Sequence, residues 1–210
     1  MLTFYYHPLA SFCQKALIAL YELDVPHEKK LVDLCNDDER AAFFNVWPLG
    51  KFPVIQDNDV TIGESSIVIE HVDAAFGRLI PKSRALECRY RDRFFDSYVQ
   101  LPMQKIVGDH LRPVDKRDPY GVEEAKAQLR TSYKIADEDL RRDRRTWALA
   151  GDDFTMADCS AAPALFFSKR VVPFEGVDNL SKYFDRLMAR PSVARVYREA
   201  EPYMKMFPIK

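Results

Sequence analysis

The chain has 210 residues, 47% of them hydrophobic and 30% charged, an ordinary globular mixture long enough for one large domain or two small ones. Its 31 basic and 32 acidic side chains leave a net charge of −1, which gives no support for a nucleic-acid partner or an anionic membrane surface. No apolar run approaches the roughly 20 residues that span a bilayer, and MLTFYYHPLASF has no basic segment leading into an apolar one, so a cytoplasmic protein is expected.

Residues Leu2–Tyr6 (LTFYY) are β-prone and predict a first strand, ended by His7-Pro8 because proline cannot donate to a ladder. Ser11 then opens a helical pattern in which Phe12, Ala16, Ala19, Leu20 and Leu23 recur on one face. Val25-Pro26 stops it, and a short strand is expected around Glu28–Val32. NDDERAAFF reads as a helix with acids in its first turn, which suits the helix dipole. Phe52–Gln56 and Val60–Ile62 flank Asp57-Asn58-Asp59 and predict an antiparallel hairpin. SSIVIEHVDAAF follows as a mostly apolar helix carrying Ile67, Ile69, Val72 and Phe76. The order β-α-β-α-β-β-α predicts a small α/β domain.

Beyond the linker, Gly77–Ser83, the strand signal vanishes. Arg84–Arg112 is one long helical pattern with Pro102 inside it, so a kink is expected there. Pro113–Tyr120 reads as a loop. Gly121–Arg145 reads as an amphipathic helix with Ala125, Leu129, Tyr133, Ala136 and Leu140 on one face and a solvated basic end, RRDRR. Thr155-Met156-Ala157-Asp158 fits a capping box, with Phe154 and Cys159 placed to staple it. Two shorter helices, over 179–189 and 192–199, are separated by Arg190-Pro191. The expected division is an α/β domain over 1–77, a linker over 78–85 and an all-α domain over 86–210.

The four cysteines (Cys13, Cys35, Cys88, Cys159) form no C-x-x-C and the four histidines are scattered, so neither a disulfide framework nor a metal site is expected. Three other features have chemical potential. Pro53 sits just before a β-prone run, where its missing N–H must not matter. It either starts a strand in the trans form, or follows a cis bond that leaves the Phe52 main chain free to pair with an extended peptide. Ser65 either caps the next helix or, with the free N–H groups there, receives a carboxylate, while Glu64 receives an ammonium group. Ser11 either caps the first helix or donates to an anion held at its N-terminus. Gly-x-Ser-x-Gly is absent, which speaks against a nucleophilic serine.

The order strand, Ser11-led helix, PLGKFPV, hairpin, Glu64-Ser65, apolar helix and all-α second half resembles the cytosolic glutathione S-transferase family over nearly the whole chain, FTMADCSAAPAL included. The resemblance implies a thioredoxin-like N-terminal domain followed by a helical domain, with glutathione as co-substrate and no metal. It implies that Pro53 is a cis-proline, that the Phe52 main chain pairs with the cysteinyl part of glutathione, that Glu64 and Ser65 hold its γ-glutamyl end, and that Lys51 meets its glycyl carboxylate. Ser11 would donate to the thiolate as the catalytic residue, with Leu9, Tyr98 and Met103 facing a small electrophile, in a homodimer. The alternatives are a glutathione-dependent thiol reductase or peroxidase using Cys13, and a non-catalytic binding protein on the same fold. Asn45-Val46-Trp47-Pro48-Leu49-Gly50 departs from the family's Asn-Pro-x-Gly, and Asn36-Asp37-Asp38-Glu39 is acidic where basic residues are common.

Overall fold

The computed structural model describes residues 1–143 and 145–209. The strands are β1 (Leu2–Tyr6), β2 (His27–Leu31), β3 (Val54–Asp57) and β4 (Val60–Ile62), with α1 (Ser11–Glu22), α2 (Asp37–Val46) and α3 (Ser65–Asp73) between and after them. Among the described residues they form one sheet in the order β2-β1-β3-β4. β1 and β2 are parallel, joined through α1; the β1–β3 and β3–β4 pairs are antiparallel. Side chains alternate across the sheet, as a period of two requires. Leu2, Phe4 and Ile55 pack on the side of α1 and α3, whereas Tyr5 and Val54 pack with Phe43 of α2. The hairpin turn is tighter than expected, because Asp57 itself pairs with Val60.

The helix starts of the first half are capped unevenly. Asn36 caps α2, its side chain accepting from the N–H groups of Asp38 and Glu39. The N-caps of α1 and α3 are Ala10 and Glu64, and neither contributes a side-chain cap. Ser11 and Ser65 are therefore first helical residues, not caps. In α3 the core face is Val68, Ile69 and Val72, while Ile67, and Phe76 just beyond its end, are exposed. Asp73, buried at the end of α3, accepts from the main-chain N–H groups of Arg78, Leu79 and Ile80 and so shapes the linker.

The second half comprises α4 (Ala85–Phe94), α5 (Leu101–His110), α6 (Pro119–Arg142), α7 (Met156–Val171), α8 (Asp178–Ala189) and α9 (Pro191–Ala200). The break in the first long pattern is a π-helical stretch over Phe95–Gln100, with Pro102 in the first turn of α5. The predicted face of α6 is buried throughout. Its expected basic end divides: α6 stops at Arg142, Arg144 lies outside the described residues, and the Arg145 side chain is buried. There Arg145 donates to Glu87 of α4 and to the carbonyl of Ala148. Thr155 and Asp158 form the capping box of α7; the Asp158 carboxylate also accepts from the Ala148 N–H and the Tyr183 hydroxyl. α7 packs against both α1 and α4, so it joins the two halves. Among the described residues no helix is long and apolar enough to cross a membrane.

Candidate active site

A cleft of about 500 Å³ opens where α1, α3 and the β2–α2 and α2–β3 loops face the α4–α5 segment, within the roughly 300–1,000 Å³ usual for small-ligand sites. Ser11, Lys51, Phe52, Pro53, Glu64 and Ser65 all line it. The Phe52–Pro53 bond is cis. Phe52 makes no main-chain hydrogen bond among the described residues, and its ring stacks on His7, with centroids 6.3 Å apart. His7 Nδ1 accepts from the Leu9 N–H at 3.2 Å, and burial pulls the His7 pKa below its ordinary value, a pull that Asp33 only partly opposes. The imidazole is thus a neutral support for the Phe52 segment.

Two helix N-termini converge on this cleft. α1 presents Ser11 and α3 presents Ser65, with the N–H groups of each first turn lacking intrahelical acceptors. Such ends favour anions. Glu64, at φ 65°, is turned out to the solvent-facing rim beside Arg93. The cleft can therefore take a ligand with at least one carboxylate, one cationic group and an extended main chain.

Ser11 has an environment that its sequence position did not signal. The Gln100 side-chain amide, itself buried, donates to Ser11 Oγ at 2.5 Å. The Ser11 hydroxyl has no acceptor of its own among the described residues, so its proton is available to the cleft.

Beneath the cleft lies a buried ion cluster. Lys15 of α1 meets Asp92 Oδ1 at 2.6 Å and Asp96 Oδ2 at 2.7 Å, and donates to Ser66 Oγ at 2.8 Å. Ser66 in turn donates to Asp92, Ser160 of α7 donates to Asp96, and Arg93 donates to Ser66 and Asp96. Two cations balance two carboxylates, and α1, α3, α4, the π-helical stretch and α7 are tied together. Arg93 is half-exposed and reaches the cleft wall. Despite the cost of burying its guanidinium, the Asp96 and Asp92 carboxylates hold the Arg93 pKa above its ordinary value.

The expected electrophile-facing residues lie elsewhere. Met103 is in the core at 4% exposure, Tyr98 packs on Phe94 with half its surface in solvent, and Leu9 sits in the turn before α1. None lines the cleft; Arg93, Asp96, Ser97, Leu101 and Gln104 do. For Tyr98 and Met103 the physical reason is the π-helical stretch, whose wider turn rotates the side chains within and after it relative to a 3.6-residue reading; Leu9 is set by the turn before α1. Cys13 is fully buried, and burial pushes its thiol pKa well up. Among the described residues no group of three His, Cys, Asp or Glu side chains could hold a metal ion.

A thioredoxin-like α/β unit packed on a helical one, with a cleft at their seam built from a first-helix serine and a cis-proline segment, defines the glutathione transferase fold. Residues 4–80 match the glutathione S-transferase N-terminal domain model and residues 94–191 the glutathione S-transferase C-terminal domain model. The chain belongs to the glutathione S-transferase family. It is 24% identical over 194 residues to glutathione S-transferase GstB of Escherichia coli, covering 87% of this chain and 91% of that one. It is 23% identical over 198 residues to the chloroplastic glutathione S-transferase DHAR3 of Arabidopsis thaliana, covering 90% and 69%. Among solved structures, a glutathione S-transferase from Methylobacillus flagellatus with glutathione bound has a TM-score of 0.84 at 21% identity, covering 93% of this chain and 98% of that one. At that identity the likeness establishes the fold.

Proposed function

We propose that this chain binds glutathione in the cleft and joins its sulfur to a small electrophile. Ser11 carries the reading: its hydroxyl lines the cleft, accepts from Gln100 and keeps its own proton free. In the reaction the thiol proton passes to solvent, Ser11 donates to the thiolate, and the sulfur forms a bond to the electrophilic atom. Either a leaving group departs with its bonding pair, or, in an addition, the electrophile's π pair moves to the far atom, which takes a proton from solvent. A free thiol with a pKa of about 8.5 is only a few per cent ionised at pH 7. Lowering that pKa by about 2 units corresponds to ~2.7 kcal/mol and raises the thiolate fraction by at most about 30-fold. The remaining acceleration must come from holding the electrophile beside the sulfur.

The Phe52 main chain is the partner for the cysteinyl unit. Glu64 and Ser65 hold the γ-glutamyl ammonium and carboxylate, and Lys51 meets the glycyl carboxylate. The active form is a homodimer, which light scattering will check. Retention on immobilised glutathione followed by an electrophile panel tests the function. Ser11→Ala should cripple conjugation while leaving glutathione binding largely intact; unchanged conjugation refutes the role of Ser11. Turnover that vanishes in Cys13→Ser would favour a thiol reductase instead, against the complete burial of that thiol.

A further inference from the structure

We infer that Gln100 is a positioning residue for Ser11: by filling one acceptor site of the Ser11 hydroxyl, it aims the hydroxyl proton at the glutathione sulfur. The inference rests on the proposed glutathione chemistry and adds a residue from the helical half to it.

A serine hydroxyl has one proton and two acceptor sites, and it rotates to suit its surroundings. Left alone in the cleft wall, Ser11 could turn its proton toward any nearby acceptor. Gln100 Nε2 approaches Ser11 Oγ to 2.5 Å, and both side chains are buried. An N–H fixed on one lone pair sets the hydroxyl's rotation and leaves the proton pointing elsewhere, and Ser11 lines the cleft. Gln100 itself does not line the cleft, so it acts through Ser11 and does not touch the ligand. It comes from the end of the π-helical stretch, the local irregularity that carries its side chain to α1.

The other end of the amide shows the same specialisation. Gln100 Oε1 is buried without a partner among the described residues. An unpaired buried carbonyl is costly, and an apolar residue of similar shape would remove that cost. A glutamine kept here for packing alone would be worse than a methionine. Its donor, spent on Ser11, is what the site obtains from it.

The test is a pH titration of enzyme-bound glutathione, followed by ultraviolet thiolate absorbance, with kcat and glutathione KM measured alongside. Gln100→Met keeps the length of the side chain, removes the donor and removes the orphaned acceptor, so the fold should tolerate it. The variant is expected to raise the thiol pKa by about 0.5–1 unit and to lower kcat about threefold to tenfold, with glutathione KM changed less than about threefold. In a Ser11→Ala background the same substitution should change neither quantity further. Gln100→Ala serves as a second variant with the same expected direction. An unchanged or lowered thiol pKa in Gln100→Met overturns the inference; the lowered value would mean that Gln100 accepts from Ser11. A full additional loss in the Ser11→Ala background overturns it too, since Gln100 would then act independently of Ser11. Failure of the wild-type protein to bind glutathione would sink the proposed function itself, which keeps the two failures distinct.

Discussion

Removing Lys15 should uncouple the two halves of the molecule. Lys15 is 1% exposed, and its ammonium group meets Asp92 at 2.6 Å and Asp96 at 2.7 Å. Lys15→Met preserves the stem and deletes the charge. Two buried carboxylates then share one cation, Arg93, whose side chain is half in solvent. Breaking a buried ion pair by removing one partner costs about 3–5 kcal/mol, against a total stability of roughly 5–15 kcal/mol. For a chain of this size each kcal/mol shifts the melting temperature by about 2–4 °C, so a loss of about 6–20 °C is expected. The cluster ties α1 and α3 to α4 and α7. Trp47 reports on the first half and Trp147 on the second, and they are the only tryptophans. Urea unfolding followed in single-tryptophan variants should give one shared midpoint with Lys15 present and two separate midpoints in Lys15→Met. Adding Asp92→Asn and Asp96→Asn should recover part of the loss, because the uncompensated charge is gone. A cost below about 1 kcal/mol with coincident midpoints would mean that the Lys15 cluster does not couple the two halves.

Glu22 clamps α1 to the α8–α9 junction through paired hydrogen bonds from Arg190 at 2.9 and 2.7 Å. Burial pushes its carboxyl up, but the bonds from Arg190 and Ser192 outweigh burial and hold it below its ordinary value of 4.5. Its stabilisation is therefore present above pH 4.5 and lost as pH falls through the lowered folded value; Glu22→Gln should destabilise at pH 7, with the gap closing toward acid in paired melting curves. Gly50 has φ 60°, and a Cβ there would press on the Phe44 ring; Gly50→Ala should cost about 1–2 kcal/mol and weaken glutathione binding through Lys51, read by urea unfolding and calorimetry. Under native conditions an alkylating reagent should label exposed Cys35 and spare buried Cys13, Cys88 and Cys159, as peptide mass spectrometry will show.

Legibility varied with how local the governing physics is. β1 was readable to the residue because LTFYY is bounded by His7-Pro8, and the buried face of α6 because its apolar spacing holds from Ala125 to Leu140, about four turns. The Thr155–Asp158 box was readable because capping needs only four residues. The cleft set around Pro53 and Glu64 was found only once order and spacing were joined into a family resemblance; singly, each residue had a plainer reading as a strand start or a cap. The helical wall was not readable. A π-helical stretch leaves no compositional mark, so Tyr98 and Met103 were expected where Ser97, Leu101 and Gln104 stand. Gln100 and Lys15 were missed because each acquires its role from a partner far away in the chain, and Arg93 because its local partners Asp92 and Asp96 are themselves buried only by the fold. Arg93 in RYRDRFFD looks like any solvated charge, and Arg145 in RRDRR looked solvated but has a buried side chain.

The central claim concerns a hydroxyl proton and a sulfur. Its most direct measurement is the pH titration of bound-glutathione thiolate in the wild-type protein and in Ser11→Ala. The thiol pKa should lie below the free value of about 8.5 in the wild type and return toward that value in the variant while glutathione remains bound. Equal thiol pKa values in the two proteins would mean that the Ser11 hydroxyl does not stabilise the thiolate.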